Sequence, residues 1–362
     1  MNHNYLAQQF ADPALILEGI RQVVKRGDFT LGSEVQTFEQ AFAKMCGTAH
    51  AIGVANGTDA LFLSLKALGL EGYEVITTPY SFFATTAAIV NAGATPVFVD
   101  VGRDFLIDPA NIEAAITPKT GAILPVHWAG RPCNMHTIMG IAMRHDLKII
   151  EDCAHAPNTF YHGKKCGSFG QANAFSLHPL KNVNVWGDGG VVTTDSDQYA
   201  ATVRQLRNHG MSDRNTIQRW GYNSRLDTVQ AVVGLHVLAR IENITACRRA
   251  NAANLDRMLK DVEQIELPAN AYHSEPNYYL YTFHAEDRDG LRDYLIENGV
   301  DAKVHYPIPL HLQPAAKDLG YKAGDFPVAE WCAETTLSIP CHDYLTYQEL
   351  EQMANLIRNF YR

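Results

Sequence analysis

The most informative stretch of the sequence lies near the middle of the chain and contains Lys181. It reads Asn173-Ala174-Phe175-Ser176-Leu177-His178-Pro179-Leu180-Lys181-Asn182, and Gly187-Asp188-Gly189-Gly190 follows shortly after it. Lys181 therefore stands between an apolar strand and a glycine turn, where it can be held still and partly desolvated. Desolvation disfavours the ammonium form and leaves a free amine, which can form a Schiff base with a carbonyl compound. The stretch predicts a nucleophilic lysine.

A carboxylate at the end of an apolar strand accompanies this lysine. The strand reads Ile149-Ile150-Glu151-Asp152, and an unpaired charge buried at its end would be costly. A lysine that forms an imine and a buried aspartate that pairs with a pyridinium nitrogen are the two protein groups expected around pyridoxal phosphate. Lys181 and Asp152 therefore predict pyridoxal 5'-phosphate as the cofactor and are the candidate catalytic residues.

The phosphate end of such a cofactor also has a candidate site. The apolar run 50–55 leads into Asn56-Gly57-Thr58-Asp59, and a helical pattern follows over 60–68. Glycine lets the backbone approach a ligand closely, and a helix N-terminus offers free N–H groups and a positive dipole end to an anion. Taken alone, the run fits an ordinary turn capped by Thr58 or Asp59. Alongside Asp152 and Lys181, we favour the phosphate site.

These residues belong to a set of segments that match a known family in order along the chain. The chain resembles the sugar aminotransferases of the DegT/DnrJ/EryC1/StrS group, which are fold-type I pyridoxal phosphate enzymes. The resemblance runs from about residue 29 to about residue 340. Its segments are Asn56 to Leu61, Ser81 to Thr85, Pro125 to His127, Glu151 to Ala156, Ser176 to Gly190, Gly221 to Asp227 and Val304 to Pro307.

The resemblance assigns chemical roles to the first candidates. It implies that Lys181 forms the Schiff base with the cofactor and then moves protons. Asp152 would keep the pyridine nitrogen protonated, and Phe82 would stack on the ring face. His155 stands where the family usually has glutamine, and either side chain could donate to the phenolic oxygen of the cofactor. A subgroup with histidine in place of the lysine catalyses dehydration, so the lysine here argues against that reaction.

The resemblance also assigns the phosphate contacts. Gly57, Thr58 and Asp59 would meet the phosphate, with the hydroxyl of Ser176 beside them. Asn223 would reach the phosphate from a partner subunit, which implies a homodimer with shared active sites. The glycine turn after the lysine often carries glutamate in the family and carries Asp188 here.

Five further residues are candidates for substrate contact. A proline-rich run, which predicts a rigid extended loop, contains three of them: His305, Tyr306 and His311. The run is equally consistent with a purely structural connection between elements and with a loop that contacts the substrate. Arg225 fits a salt bridge near a helix start better than recognition of the amino donor's carboxylate. Trp186 fits packing or a wall of the substrate site.

Composition restricts the class of protein further. The formal net charge of -9 argues against a nucleic-acid surface. No apolar run reaches the length of about 18 residues that a membrane span needs. The first residues lack a basic segment followed by an apolar one, so we expect no secretory signal and a cytoplasmic location. Seven cysteines without a Cys-x-x-Cys pair predict free thiols and no metal site.

Alternating strands and helices organise the first two thirds of the chain and predict a largely parallel sheet covered on both faces. Ligands bind such sheets outside the carboxyl ends of the strands. The predicted strands lie near 50–55, 74–78, 96–100, 121–126, 148–152, 173–177 and 190–194. The predicted helices lie near 58–69, 82–92, 109–116 and 134–145.

The pattern changes after about residue 225. Two long helices are predicted over 225–240 and 246–259, then a strand over 277–284 and helices over 288–297 and 349–360. We therefore expect a large cofactor-binding domain over 1–245 and a smaller C-terminal α/β domain over 246–362, with no flexible linker between them.

The sequence thus predicts an α/β protein of fold-type I that acts as a pyridoxal phosphate aminotransferase. The resemblance implies an amino acid donor, L-glutamate, and a nucleotide-linked 3- or 4-keto-deoxysugar acceptor in amino-sugar biosynthesis for surface polysaccharide. The run over 304–313 favours a 3-keto sugar. Alternatives are amination of the 8-position of an octulosonate sugar acid, a sugar dehydratase, and a cofactor-binding regulator without turnover.

Overall fold

Twelve α-helices are present in the computed structural model, which describes residues 1–362. They are α1 (Leu6–Gln9), α2 (Ala14–Arg26), α3 (Ser33–Cys46), α4 (Gly57–Ala67), α5 (Ala84–Asn91), α6 (Met135–Arg144), α7 (Asp197–Leu206), α8 (Thr228–Leu238), α9 (Ile241–Leu259), α10 (Arg288–Glu297), α11 (Pro327–Thr335) and α12 (Tyr347–Phe360). No helix is both long enough and apolar enough to cross a lipid bilayer.

Fifteen strands accompany these helices. They are β1 (His50–Val54), β2 (Glu74–Thr77), β3 (Thr95–Phe98), β4 (Thr120–Ile123), β5 (Lys148–Asp152), β6 (Phe160–Tyr161), β7 (Lys164–Lys165), β8 (Ala172–Ser176), β9 (Gly190–Thr194), β10 (Met211–Asp213), β11 (Thr216–Ile217), β12 (Ile265–Glu266), β13 (Ser274–Glu275), β14 (Tyr281–Ala285) and β15 (Thr336–Ile339).

Seven strands form the central sheet in the order β1-β9-β8-β5-β4-β2-β3. The pairs from β8 to β3 are parallel, whereas β9 runs antiparallel to both of its neighbours. The mostly parallel sheet predicted from the alternating pattern is therefore confirmed. Because the parallel strands share one direction, the residues that follow β1, β2, β5 and β8 emerge at the same edge of the sheet.

Helices cover both faces of this sheet, as the doubly covered prediction requires. Neighbouring strand residues point to opposite faces, so Phe175 packs with α2, α3 and α8, while Ala174 packs with α4, α5 and α7. Val191 and Val192 divide between the same two faces. The strands are buried on both sides, which explains their continuous apolar sequences.

A second hydrophobic core lies in the C-terminal part of the chain. There, β12, β14 and β15 form a three-stranded antiparallel sheet, which packs against α9, α10 and α12. Helix α9 runs without a break across residue 245, where we placed the domain boundary. A small third sheet joins β13 to β6 and β7 and so ties the two parts together.

Two predicted elements differ from the structure. The segment 109–116 forms two short 3₁₀ turns instead of a helix, because Pro118 disfavours a helical conformation at the residue before it and leaves too few residues for a stable helix. The strand predicted over 277–284 begins only at Tyr281. The side chain of Asn277 donates to the carbonyl groups of His155 and Pro157 instead, and so holds this part of the chain as a loop against the large domain.

Candidate active site

A cavity of about 290 Å³ opens at the carboxyl edge of the parallel strands. This volume is close to the lower end of the range usual for cofactor and small-molecule sites. The structure brings eight of the predicted site residues to its lining: Gly57, Thr58, Phe82, Asp152, His155, Ser176, Lys181 and Tyr306. The convergence expected from the strand ends is therefore present.

Asp152 forms the floor of the cavity at the end of β5. Its carboxylate accepts hydrogen bonds from the backbone N–H of Ala154 at 3.1 Å and from the hydroxyl of Thr85 at 2.9 Å. Ser81 is hydrogen-bonded to Thr85 in turn, at 2.8 Å. Burial raises the pKa of Asp152, and the two hydrogen bonds act in the opposite direction. A cationic ring N–H placed beside this buried carboxylate would stabilise its charge.

Lys181 carries its amine on the loop between β8 and β9. Burial lowers the pKa of Lys181 to about 7, and the charge of Asp152 offsets part of this effect. A lysine with such a pKa is partly neutral near pH 7, which is the state that attacks a carbonyl carbon. Its Nζ lies 4.4 Å from the ring centre of Tyr279, so an aromatic face supports the amine.

His155 forms one wall of the cavity between two aromatic rings. Its ring stacks on Tyr279 at 4.2 Å and lies 5.2 Å from Trp128. Burial lowers the pKa of His155 well below its ordinary value, so the ring is neutral. Because Nδ1 faces the N–H of Ala129 at 3.3 Å and must accept, the proton is on Nε2. His155 can therefore act as a single N–H donor.

The start of α4 offers the features that a phosphate group needs. Asn56 caps the helix by accepting from the N–H of Asp59, while the N–H groups of Gly57 and Thr58 have no acceptor in the protein. A Cβ at Gly57 would lie 2.6 Å from Cβ of Ser176, so only glycine fits here. Two open N–H donors at a helix N-terminus suit an anion, and the Ser176 hydroxyl lies beside them.

The side chain of Asp59 differs from its predicted role at the phosphate. Its carboxylate accepts from the hydroxyl of Ser224 at 2.7 Å, and its N–H is used by the Asn56 cap. Asp59 is absent from the cavity lining. A carboxylate would also repel a phosphate, so the structure assigns Asp59 to holding the segment around Ser224 against α4.

Three other candidates lie outside the cavity of their own chain. Asn223 is exposed, and its backbone pairs with Asn208. Arg225 donates to the side-chain oxygen of Asn208 at 2.9 Å, which is a structural contact instead of the predicted salt bridge. Trp186 packs edge to face on Phe10, and its carbonyl accepts from the side chain of Gln230.

The proline-rich run divides between the cavity and the core. Tyr306 lines the cavity, and its N–H donates to the hydroxyl of Tyr80. His305 lies behind the cavity and contacts Ser338, and burial lowers its pKa to about 3. His311 is fully buried and contacts Glu330, so it has no surface that a substrate could reach. This placement removes His311 from the candidate substrate residues.

Sequence reasoning missed several residues of the lining. Tyr279 falls within the predicted strand over 277–284 but lies in a loop that lines the cavity, and the hydroxyl of Thr85 reaches Asp152. His178 and Asp188 also line the cavity near Lys181. The position of His178, three residues before the lysine in the same loop, was a usable signal. No sequence signal marks Tyr279, because it comes from a distant loop.

A second group of polar residues lies beneath the floor. His127, Glu151 and Cys153 come close enough together to hold a metal ion. The carboxylate of Glu151 accepts from the N–H groups of Gly167, Phe169 and Gly170, as well as facing His127 at 2.9 Å. Because Glu151 already binds His127 and these three N–H groups, the cluster holds the loop after β7 against β5.

Comparison with known proteins gives this geometry a family. The model of the DegT/DnrJ/EryC1/StrS aminotransferase family matches residues 12–358. The chain belongs to the DegT/DnrJ/EryC1/StrS aminotransferase family. The family resemblance drawn from the sequence is thus confirmed, and so is the expectation of a transaminase that uses pyridoxal phosphate.

Three curated relatives cover nearly the whole chain. A pleiotropic regulatory protein of Geobacillus stearothermophilus is 40% identical, with 96% of this chain and 94% of the relative covered. The UDP-N-acetyl-3-dehydro-alpha-D-glucosamine 3-aminotransferase of Acidithiobacillus ferrooxidans is 39% identical over 95% and 93%. The dTDP-3-amino-3,4,6-trideoxy-alpha-D-glucose transaminase of Streptomyces venezuelae is 38% identical over 94% and 90%.

Solved structures of the family agree with the fold. DesV of S. venezuelae, crystallised with a ketimine intermediate, is 37% identical and superposes with a TM-score of 0.96 over 99% of this chain and 97% of its own. NtdA of Bacillus subtilis, crystallised with pyridoxamine phosphate, is 31% identical with a TM-score of 0.89 over 96% and 81%.

The cavity of this family member suits pyridoxal phosphate at each end. The two free N–H groups of α4 would donate hydrogen bonds to the phosphate, and the carboxylate of Asp152 would accept one from the ring nitrogen. Lys181 lines the same cavity and has a pKa of about 7. When bound, the cofactor supplies an aldehyde that reacts with amines and a ring that accepts negative charge.

Proposed function

We propose that this aminotransferase moves an amino group from L-glutamate to the C3 ketone of a nucleotide-linked sugar, in the synthesis of an amino sugar. One observation carries the proposal: the amine of Lys181 and the carboxylate of Asp152 face one cavity. The names of two relatives support the choice of acceptor, since one names a sugar with an amino group at C3 and the other names a 3-dehydro sugar and a 3-aminotransferase activity. The donor is the one that the family resemblance implies.

Lys181 does the proton chemistry in this proposal. With a pKa of about 7, its amine can take a proton from the α-carbon of the donor and deliver one to the aldehyde carbon of the cofactor without a large energetic penalty. In the second half of the reaction, the same amine delivers a proton to C3 of the sugar. One flexible side chain thus serves both half-reactions.

Asp152 holds the proton on the ring nitrogen throughout. Its two hydrogen bonds, from Thr85 and Ala154, fix the direction of the carboxylate. Burial makes the ion pair with a protonated ring nitrogen stronger than it would be in water. The carboxylate therefore keeps the ring electron-poor while the α-carbon loses its proton.

Aromatic side chains limit the access of water and shape the acceptor site. Phe82 stands half-exposed at the mouth, and its ring lies 5.8 Å from that of Tyr306. Tyr279 closes the opposite side beneath Lys181. A sugar ring entering between these residues would meet apolar faces, while its nucleotide would extend outward through the mouth.

The active enzyme is, in this proposal, a homodimer whose subunits share their sites. Asn223 is exposed and lies outside its own cavity, and Ser224 beside it is tied to α4 through Asp59. An amide donor from a partner subunit would complete a phosphate site that offers only two free backbone N–H groups within one chain. Arg225 and Trp186 would then stand near the interface.

The reverse reaction tests the acceptor. The purified protein, loaded with pyridoxal phosphate, is mixed with dTDP- and UDP-linked sugars that carry an amino group at C3 or at C4, and the loss of the aldehyde-form absorbance is followed. We expect the 3-amino sugars to react at least about tenfold faster than their 4-amino isomers. Faster reaction of the 4-amino isomers would contradict the C3 assignment, and no reaction with any of them would contradict the nucleotide-sugar assignment.

A further inference from the structure

A short arm, residues 1–10, contributes two buried polar side chains to the interior of the protein. Tyr5 is 3% exposed and Gln9 is 8% exposed, whereas Gln8 is exposed to solvent. The N–H of Gln9 donates to the carbonyl of Tyr5 at 2.9 Å within the single turn of α1. Residues four apart share one face of a helix, so both side chains point inward together.

Gln9 reaches the loop that carries Lys181. Its amide forms a reciprocal pair with the amide of Asn184, with nitrogen-to-oxygen distances of 3.2 and 3.0 Å. The side-chain nitrogen of Asn184 also donates to the carbonyl of Lys181 at 3.0 Å. Because a carbonyl can only accept, this contact fixes the orientation of the Asn184 amide and, through it, that of Gln9.

Tyr5 reaches the aromatic support of the amine by a separate route. Its hydroxyl accepts from the guanidinium of Arg248 at 3.0 Å. Arg248 donates in turn to the carbonyl groups of Tyr278 and Tyr279, at 3.2 and 3.3 Å. The ring of Tyr279 lies beneath Nζ of Lys181. The two routes therefore end on the two residues whose side chains meet at the amine.

The other end of the arm is fastened to the C-terminal part of the chain. The N–H of His3 donates to Asp301 at 3.1 Å, and His342 is hydrogen-bonded to the carbonyl of Asn2 at 2.9 Å. The ring of Tyr5 stacks on that of His342 at 4.7 Å. The arm thus connects the second core of the protein to the lysine loop.

We propose that the arm positions the catalytic amine, and that Gln9 and Tyr5 are positioning residues that set the place of Lys181 over Tyr279. Neither residue lines the cavity, so each acts through a backbone carbonyl and not on the substrate. The inference rests on the proposed role of Lys181 as the lysine that forms the Schiff base. Small displacements of a reacting group have large effects on rate, which gives the arm a measurable influence.

The test replaces Gln9 with a side chain of the same length that cannot form hydrogen bonds. Gln9→Met is compared with Gln8→Met, the same change at the exposed neighbour. The readouts are the pKa of the Lys181–cofactor Schiff base, from its absorbance against pH, and kcat and KM for the donor. We expect Gln9→Met to shift the Schiff-base pKa by about half a unit or more and to lower kcat by about threefold to tenfold, with KM within about twofold.

Tyr5→Phe tests the second route, since it removes the hydroxyl but keeps the ring stacked on His342. It should shift the same Schiff-base pKa, while Gln8→Met should not. If Gln9→Met fails to fold, Gln9→Glu, which keeps one acceptor for Asn184, is measured in its place. A wild-type pKa and kcat in Tyr5→Phe and in the folded Gln9 variant would overturn the inference.

Lys181→Ala separates this inference from the proposed function. If that variant lacks the Schiff-base absorbance while the arm variants behave like wild type, the positioning role alone is wrong. If it keeps the absorbance, another lysine forms the Schiff base and the proposed function itself fails.

Discussion

The floor of the cavity and the largely exposed segment 211–223 are built in contrasting ways. At the floor, the carboxylate of Asp152 is held by groups of its own chain, and Lys181 rests on Tyr279. In segment 211–223, the hairpin formed by β10 and β11 leads into Trp220, which is 95% exposed, and into the exposed Asn223. The amine and the carboxylate of the floor therefore come from one chain, whereas segment 211–223 lies outside the cavity of its own chain.

This contrast indicates where the two kinds of specificity reside. Reaction type depends on a few buried groups whose positions are fixed by strand ends. In the homodimer that we propose, assembly would depend on exposed segments, since the exposed Trp220 and Ile217 together favour a protein surface as their partner. Substitutions of Lys181 and Asp152 test the floor, and mixed dimers test segment 211–223.

Lys181→Ala has the largest expected effect. Removing the only amine in the cavity should lower turnover at least about a thousandfold, because the same group forms the Schiff base and moves the proton. Cofactor binding should persist through the start of α4. Turnover is measured with donor and keto-sugar, and binding by retained cofactor after gel filtration.

Lys181→Arg is the matched control, because it keeps a cation at the same place but cannot form the Schiff base. It should be as inactive as Lys181→Ala. Turnover of either variant within tenfold of wild type would show that the floor does not contain the reacting amine.

Asp152→Asn has the next largest effect. The amide has the size of the carboxylate, and its single oxygen can still accept from the N–H of Ala154 while its nitrogen donates to the hydroxyl of Thr85. The fold should therefore be kept, but the charge that holds the ring proton is lost. We expect turnover to fall by roughly a hundredfold and the cofactor absorbance to change. Near-normal turnover with an unchanged spectrum would mean that Asp152 serves only to close the strand end.

Mixed dimers test segment 211–223. Asn223→Asp places a carboxylate where a phosphate contact is proposed, and Lys181→Ala is inactive by itself. If the sites are shared, each heterodimer has one site with both defects and one with neither. Random mixing should then restore about a quarter of wild-type activity.

Subunit exchange must be shown separately, for example by mixing tagged and untagged subunits. Exchange without recovered activity would refute the shared site, as would an active monomer in sedimentation.

The floor could be predicted from the sequence because its residues lie at or just past the ends of largely apolar strands. Asp152 and Ser176 end β5 and β8, the turn at Gly57 comes shortly after β1, and parallel strands bring their carboxyl ends together. The order of the strands and the single antiparallel member, β9, were not predictable in this way, since both depend on pairings distant in sequence.

The remaining contacts were hidden because they join segments far apart in the chain. Tyr279 reaches Lys181 only because Asn277 binds the carbonyl groups of His155 and Pro157. The arm meets Asn184 across 175 residues of sequence. No local periodicity in the sequence indicates such contacts. Conversely, His311 belongs to a run that suggests substrate contact, yet its side chain is buried in the core.

Thr85→Val has the smallest expected effect and tests how much the support of the floor contributes. Valine has the shape of threonine but cannot donate to Asp152, and a hydrogen bond to a charged group contributes roughly 1.5 kcal/mol or more. We expect kcat to fall by about tenfold. Burial already raises the pKa of Asp152, and the Thr85 hydroxyl lowers it, so its loss should raise the pKa further. The ionised carboxylate is the active form, and the acid limb of the pH–rate profile should therefore move to higher pH.

Thr86→Val is the control, because the hydroxyl of Thr86 has no hydrogen-bond partner. An acid limb that moves equally in both variants would show that Thr85 supports the fold and not the charge of Asp152.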